Sequence, residues 1–201
     1  LHYPLRRQRQ MCIRDRVLNT KEFGYHLYVR TVQGTLNLLK GKMKEGRAQF
    51  EQGIELAERL GDNWWKAVFH TMLAYNYLKS GKPEEALKES DLALNVSQDA
   101  NNDLRWQRRS LFFKGLAYLG MKSLSAAHKT ADELKALCDE GMNKKEIRLY
   151  YHLLGMVELE KKNYSKAIEY FERAISFLPY QNGLGPFTND QAWFAESLAL
   201  A

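Results

Sequence analysis

Small residues return at fixed intervals along this chain. Gly34, Ala74, Gly115 and Gly155 lie 40, 41 and 40 residues apart. The same three intervals separate Gly46, Ala86, Ala127 and Ala167, then Phe50, Ser90, Ala131 and Phe171, then Gly53, Ala93, Leu134 and Ala174. Four columns moving in one register define a tandem repeat. No other feature constrains the fold as strongly, because a short repeat cannot bury its apolar face alone and must share a core with its neighbours.

Within each unit the pattern is helical. In Phe69-x-x-Met72-Leu73-x-x-Asn76-Tyr77 the apolar residues step by three and four, as one helix face requires and a strand does not. Two such stretches are joined by a short polar turn, for example Lys79-Ser80-Gly81-Lys82-Pro83. Gly81 suits a helix C-terminus, Pro83 the first turn of the next helix, and Glu84 and Glu85 its positive end. Asp62-Asn63, Asn102-Asp103 and Asn143 stand where helix N-caps are needed. The Gly and Ala columns fall where paired helices cross, since interaxial distances of roughly 8–10 Å leave little room for large side chains. Helices are expected near 24–40, 43–60, 64–80, 83–98, 103–120, 123–139, 144–161, 164–178 and 190–201.

The fourth unit reads Tyr151-x-x-Leu154-Gly155, Tyr164-x-x-Ala167, Phe171, Ala174 and Pro179; the second keeps Leu73-Ala74-x-x-Tyr77, Gly81, Ala86 and Ala93; the third keeps Gly115-x-x-Tyr118 and Ala127. This pattern resembles the tetratricopeptide repeat. The resemblance runs over about residues 24–201 and departs from the family pattern at Gln33, Lys114 and Glu158. Its period is also longer than the family's usual length of about 34 residues, similar to helical arrays in bacterial signalling and transcription regulators. The resemblance implies an all-α, right-handed solenoid of stacked antiparallel helix pairs, with units at about 24–62, 63–102, 103–142 and 143–182 and a partial one at 190–201. It also implies a concave groove lined by the first helix of each pair, binding a protein or peptide ligand. The positions matching that groove are Tyr28, Thr31, Thr35, Thr71, Tyr75, Leu78, Arg109, Phe112, Leu116, His152 and Met156. Family members that bind chaperone tails use a Lys/Asn carboxylate clamp; Thr31, Thr35, Thr71 and Tyr75 stand where it would begin, which argues against that partner class.

Residues 1–16 are of another kind. Arg6-Arg7-Gln8-Arg9-Gln10-Met11-Cys12-Ile13-Arg14-Asp15 is what one frame of a transposase-based sequencing-library adapter encodes, so this tail is expected to be non-native and the authentic array to occupy 17–201. Setting the tail aside leaves 25 Lys+Arg against 23 Asp+Glu, a formal charge of +2 instead of +6. A balance this even offers no track for nucleic acid. Without Cys12, Cys138 stands alone and can form neither an internal disulfide nor a thiolate metal cluster. No apolar run reaches the roughly 18 residues of a membrane span.

The remaining candidates for chemistry are sparse. Arg105-Trp106-Gln107-Arg108-Arg109 is the one basic cluster; it reads as a solvated helix start with Trp106 packed inward, ahead of an anion site. His26, His70, His128 and His152 fall one to a unit with no metal-ligand spacing, and Cys138 reads as a small buried hydrophobe. The stretch from Tyr180 to Thr188 interrupts the period and reads as a connector. No metal, cofactor or catalytic grouping is indicated. The expected function is therefore a non-enzymatic protein-interaction scaffold, the repeat portion of a larger bacterial regulator, in the cytoplasm. The alternative is a substrate-presenting region of an enzyme whose catalytic domain lies outside this sequence. Trp193, Phe194, Leu198 and Leu200 are expected to expose apolar surface and to promote self-association through the ends of the array.

Overall fold

A computed structural model describes residues 23–99, 104–141, 143–178 and 197–201, and among these residues the structure is helical with no strand. The helices are α1 (Phe23–Leu39), α2 (Met43–Leu60), α3 (Asn63–Lys79), α4 (Pro83–Asp99), α5 (Leu104–Gly120), α6 (Leu124–Glu140), α7 (Ile147–Glu160) and α8 (Tyr164–Ser176). They form four antiparallel hairpins, α1/α2 to α7/α8, each packed on the next. The result is an all-α solenoid. The adapter-like tail, the Asn102-Asp103 cap, Pro179, the connector to Thr188, Trp193 and Phe194 lie outside the described residues. Of the helix expected at 190–201, residues 197–201 are described, and 197–199 are helical.

Expected and observed boundaries agree to within three residues, and the largest difference has a local cause. The turn Lys144–Glu146 is a 3₁₀ helix ahead of α7. Asn143 Oδ1 accepts from the Lys145 amide two residues on, at 3.2 Å, which favours the tighter winding. Asp62 caps α3 in the ordinary way, its Oδ1 accepting from Trp65 N at 3.0 Å.

A fifth column appears in the turns within hairpins. Gly41, Gly81, Lys122 and Lys162 repeat the 40, 41 and 40 spacing and all adopt positive φ, between 60° and 75°. Each amide donates three residues back, and the next amide donates five back: Lys42 to Asn37, Lys82 to Tyr77, Ser123 to Tyr118 and Asn163 to Glu158. This is the Schellman arrangement, which satisfies carbonyls a helix end leaves open. Glycine enters the left-handed region freely, whereas lysine does so against a Cβ clash.

The small-residue columns are where helices touch. A Cβ on Gly155 would lie 2.5 Å from Phe171 Cε1, across the α7/α8 hairpin. A Cβ on Gly34 would likewise fall inside the Phe50 ring across α1/α2, and one on Gly53 inside the Phe69 ring of the next hairpin. Bulk is exchanged between the columns. Where the first column holds Gly34 or Gly155, the third holds Phe50 or Phe171; the second unit balances Ala74 with Ser90. The third pairs Gly115 with Ala131, and Leu153 from α7 fills the space over Gly115. Such compensation keeps one interhelical distance with different side chains.

The core lies in clusters that meet at the joints. Phe50, Phe69, Met72 and Leu73 form its first part, and Phe112, Phe113, Leu134, Leu149 and Leu153 its second, with half-buried Tyr75 packing against both. Each fully buried Phe or Leu contributes on the order of 1.5–3 kcal/mol. Trp106 packs with Ala67 and Val68 beside Trp64, Trp65 and Val96, tying the third hairpin to the second.

Candidate binding face

The first helices touch one another as well as their hairpin partners: α1 meets α3, α3 meets α5 and α5 meets α7, while the second helices make no comparable contact with each other. The first helices thus form a continuous inner layer. Side chains seal its joints. Tyr75 of α3 lies 5.7 Å from the Phe113 ring of α5, and Thr71 Oγ1 is 3.5 Å from Ser110 Oγ. Between α5 and α7, the Phe112 ring is 5.4 Å from His152. His152 in turn reaches Ser197 Oγ through Nε2 at 2.9 Å, so the terminal residues continue the layer.

Six of the eleven groove positions are inside these joints. Thr31, Thr71, Arg109, Phe112, Leu116 and His152 are buried. Thr31 donates its hydroxyl to Leu27 O at 3.0 Å and Thr71 donates to Ala67 O at 2.7 Å, so both satisfy themselves along their own helix. The other five keep accessible surface. Tyr28 is exposed, and Thr35, Tyr75, Leu78 and Met156 are half-buried. The resemblance that named these positions carries no information on how far neighbouring helices close over them. It also missed a column: Leu39, Lys79, Gly120 and Glu160 are exposed in all four hairpins. Lys79 Nζ stands 5.8 Å from the centre of the Tyr75 ring, placing a cation beside the apolar strip. Extending the repeat register five residues beyond the first column would have found it.

His152 sits between two rings, Phe112 and Phe171, the latter at 5.5 Å. Burial lowers its pKa to about 3, so the imidazole is neutral at ordinary pH. Burial also pushes the Cys138 thiol up to about 12, which removes thiolate character at neutral pH and suits its reading as a small hydrophobe. His70 Nδ1 pairs with Glu89 Oε2 at 2.7 Å and His128 Nδ1 with Asp132 at 3.3 Å, on different helices. Among the described residues no group of three or more His, Cys, Asp and Glu is placed to hold a metal ion, and no helix is long and apolar enough to cross a membrane.

The basic cluster differs from its reading as a solvated helix start. Trp106 packs inward as expected, but Arg108 and Arg109 are buried too. Arg108 Nε donates to Leu137 O at 3.1 Å, turning its charge to the end of α6. Arg105 lies over the Trp64 and Trp106 rings at 5.7 and 5.4 Å. The cluster joins hairpins; it does not form an open cationic patch.

Departures from the family pattern are compensated locally. Lys114 stands where the second and fourth units have leucine and donates to Asp91 Oδ1 of α4 at 2.7 Å. Burial pulls its pKa down, but the hydrogen bond and charge of Asp91 carry it above the usual lysine value. Glu158, where the second and third units have tyrosine, accepts from Lys161 and Asn163 at 2.8 Å each, and the Lys161 bond leads in lowering its pKa.

Stacked hairpins with an inner layer of first helices, joined through small-residue crossings, define a helical-repeat array. Within it, residues 149–180 match the family model of the tetratricopeptide repeat, so the chain carries a tetratricopeptide-type repeat in its fourth hairpin. The columns carry the same layout through the three hairpins before it. No curated protein matches the chain.

Proposed function

We propose that this chain is a non-catalytic protein-interaction scaffold that takes a peptide or helix along its inner layer. One observation carries the reading: the first helices stack into one face on which Tyr28, Thr35, Tyr75, Leu78 and Met156 retain accessible surface, with Lys79 beside Tyr75. Aromatic, leucine and methionine side chains with a flanking cation suit an amphipathic segment with an acidic residue. Tetratricopeptide repeats in general mediate protein contacts, which supports the same class. The 40- to 41-residue period supports the finer reading, the repeat portion of a larger bacterial regulator.

Peptide-display selection on the purified chain tests the groove. Selected peptides should lose about tenfold or more in affinity when Leu78→Glu and Met156→Glu are introduced together, about 1.4 kcal/mol. Selected peptides that bind this variant unchanged, or turnover of a substrate by the chain, would overturn the proposal.

A further inference from the structure

The turns within hairpins all lie at one edge of the stack, and the turns between hairpins lie at the other. In repeat register the first set covers residues 39–45, 79–85, 120–126 and 160–166. These segments hold nine lysines, all exposed, against four glutamates and no arginine, a formal +5. The second set, 58–64, 99–105 and 139–145, holds among its described residues five carboxylates against four cations, a formal −1. The near-neutral array is therefore polarised from edge to edge. Local pairing uses only part of the charge. Lys82, Lys122 and Lys161 pair with Glu85, Glu160 and Glu158, while Lys40, Lys42, Lys44, Lys162 and Lys166 form no salt bridge among the described residues. Helix stability does not account for all of them either. Lys44 and Lys166 stand in the first turns of α2 and α8, at the positive helix end where a carboxylate is favoured and a cation is not.

We infer that this lysine-bearing edge docks on an anionic lipid surface. The charges occupy both layers of the array: Lys40 closes a first helix, whereas Lys42, Lys44, Lys82 and Lys166 open second helices. Charge spread over the breadth of an edge suits a flat anionic surface better than a single strand laid along the groove. Lysine without arginine also supplies hydrated point charges and no planar fork to grip individual phosphates, which suits the diffuse field of a lipid leaflet more than a nucleic-acid track. Leu39, 66% exposed beside Lys40, adds an apolar group that can sink among headgroups. Its column is exposed in all four hairpins, so this exposure belongs to the edge and not to the end of the array. Only Lys79 is shared with the peptide face, and the lipid site does not rest on that reading.

Co-sedimentation of the full chain with vesicles tests this, using phosphatidylcholine alone and with about 30% phosphatidylserine. The arginines of residues 1–16 are first removed (Arg6→Ser, Arg7→Ser, Arg9→Ser, Arg14→Ser, Arg16→Ser), so that the edge alone is read. A net +5 should give a partition coefficient on the order of 10³–10⁴ M⁻¹ for the anionic vesicles at about 0.1 M salt, and none for the neutral ones. Raising the salt to about 0.5 M should abolish it. Lys42→Gln, Lys82→Gln and Lys166→Gln together should lower it about a hundredfold with the helical circular dichroism unchanged, since all three side chains are exposed. Lys144→Gln with Lys145→Gln, at the opposite edge, should change it by less than about threefold, because those charges face away from the leaflet. Absent or equal binding to the two vesicles, insensitivity to the three edge substitutions, or tighter binding to a duplex oligonucleotide than to the anionic vesicles would each overturn the inference.

Discussion

Acid should loosen this array through His152 in particular. The imidazole is buried between Phe112 and Phe171, bonded to Ser197, with a pKa lowered by burial to about 3. In the unfolded chain it returns to the ordinary 6.5. Between those two values the unfolded state binds a proton that the folded state refuses, so stability rises with pH across the window and falls on acidification. Going from pH 7.5 to 5.5 should remove about 1.4 kcal/mol through this one residue, and going to 4.5 about 2.7 kcal/mol, since each unit below the unfolded pKa is worth about 1.36 kcal/mol. His152→Leu abolishes the term while leaving the other histidines in place. The variant loses the Ser197 bond, roughly 1 kcal/mol at neutral pH, but its deficit should shrink as pH falls and reverse between about pH 6 and 5.5. Denaturant unfolding of both chains at pH 7.5, 5.5 and 4.5 measures this. A deficit constant with pH to within about 0.5 kcal/mol, or an imidazole titrating near pH 6 in the folded chain by NMR, would refute the reasoning.

Other residues give equally direct tests. Gly155→Ala should gain up to about 1 kcal/mol from helix propensity, yet the new Cβ meets the buried Phe171 ring, so a net loss of about 1–3 kcal/mol is expected; Phe171→Leu should relieve part of it in a double-mutant cycle by chemical denaturation. Lys122→Gly and Lys162→Gly should each stabilise by about 1 kcal/mol, because both lysines hold a left-handed backbone that glycine adopts without strain; a fall in melting temperature would count against it. Arg148→Met should destabilise by about 3–5 kcal/mol, because it strands the buried Glu146 carboxylate that Arg148 meets at 3.1 Å; Arg148→Met with Glu146→Leu should recover most of the loss.

Much of this protein was legible before any coordinates. The Gly and Ala columns fixed the number of hairpins and their order, and the three-and-four spacing with Asp62 and Gly81 placed helix ends closely. Those signals are local, or repeat at constant separation, so a linear chain displays them. The left-handed column was half visible, since Gly41 and Gly81 announce such turns and Lys122 and Lys162 do not. The 3₁₀ turn before α7 depends on a single side-chain bond from Asn143.

The amino-acid order alone determined that helical hairpins stack, because that follows from periodicity. How closely the first helices meet was decided only in three dimensions. That distance depends on side chains brought together from different units, such as Leu153 over Gly115 and Phe112 against His152, and no linear pattern encodes their combined volume. It buried six of the expected groove residues, neutralised His152 and enclosed two arginines.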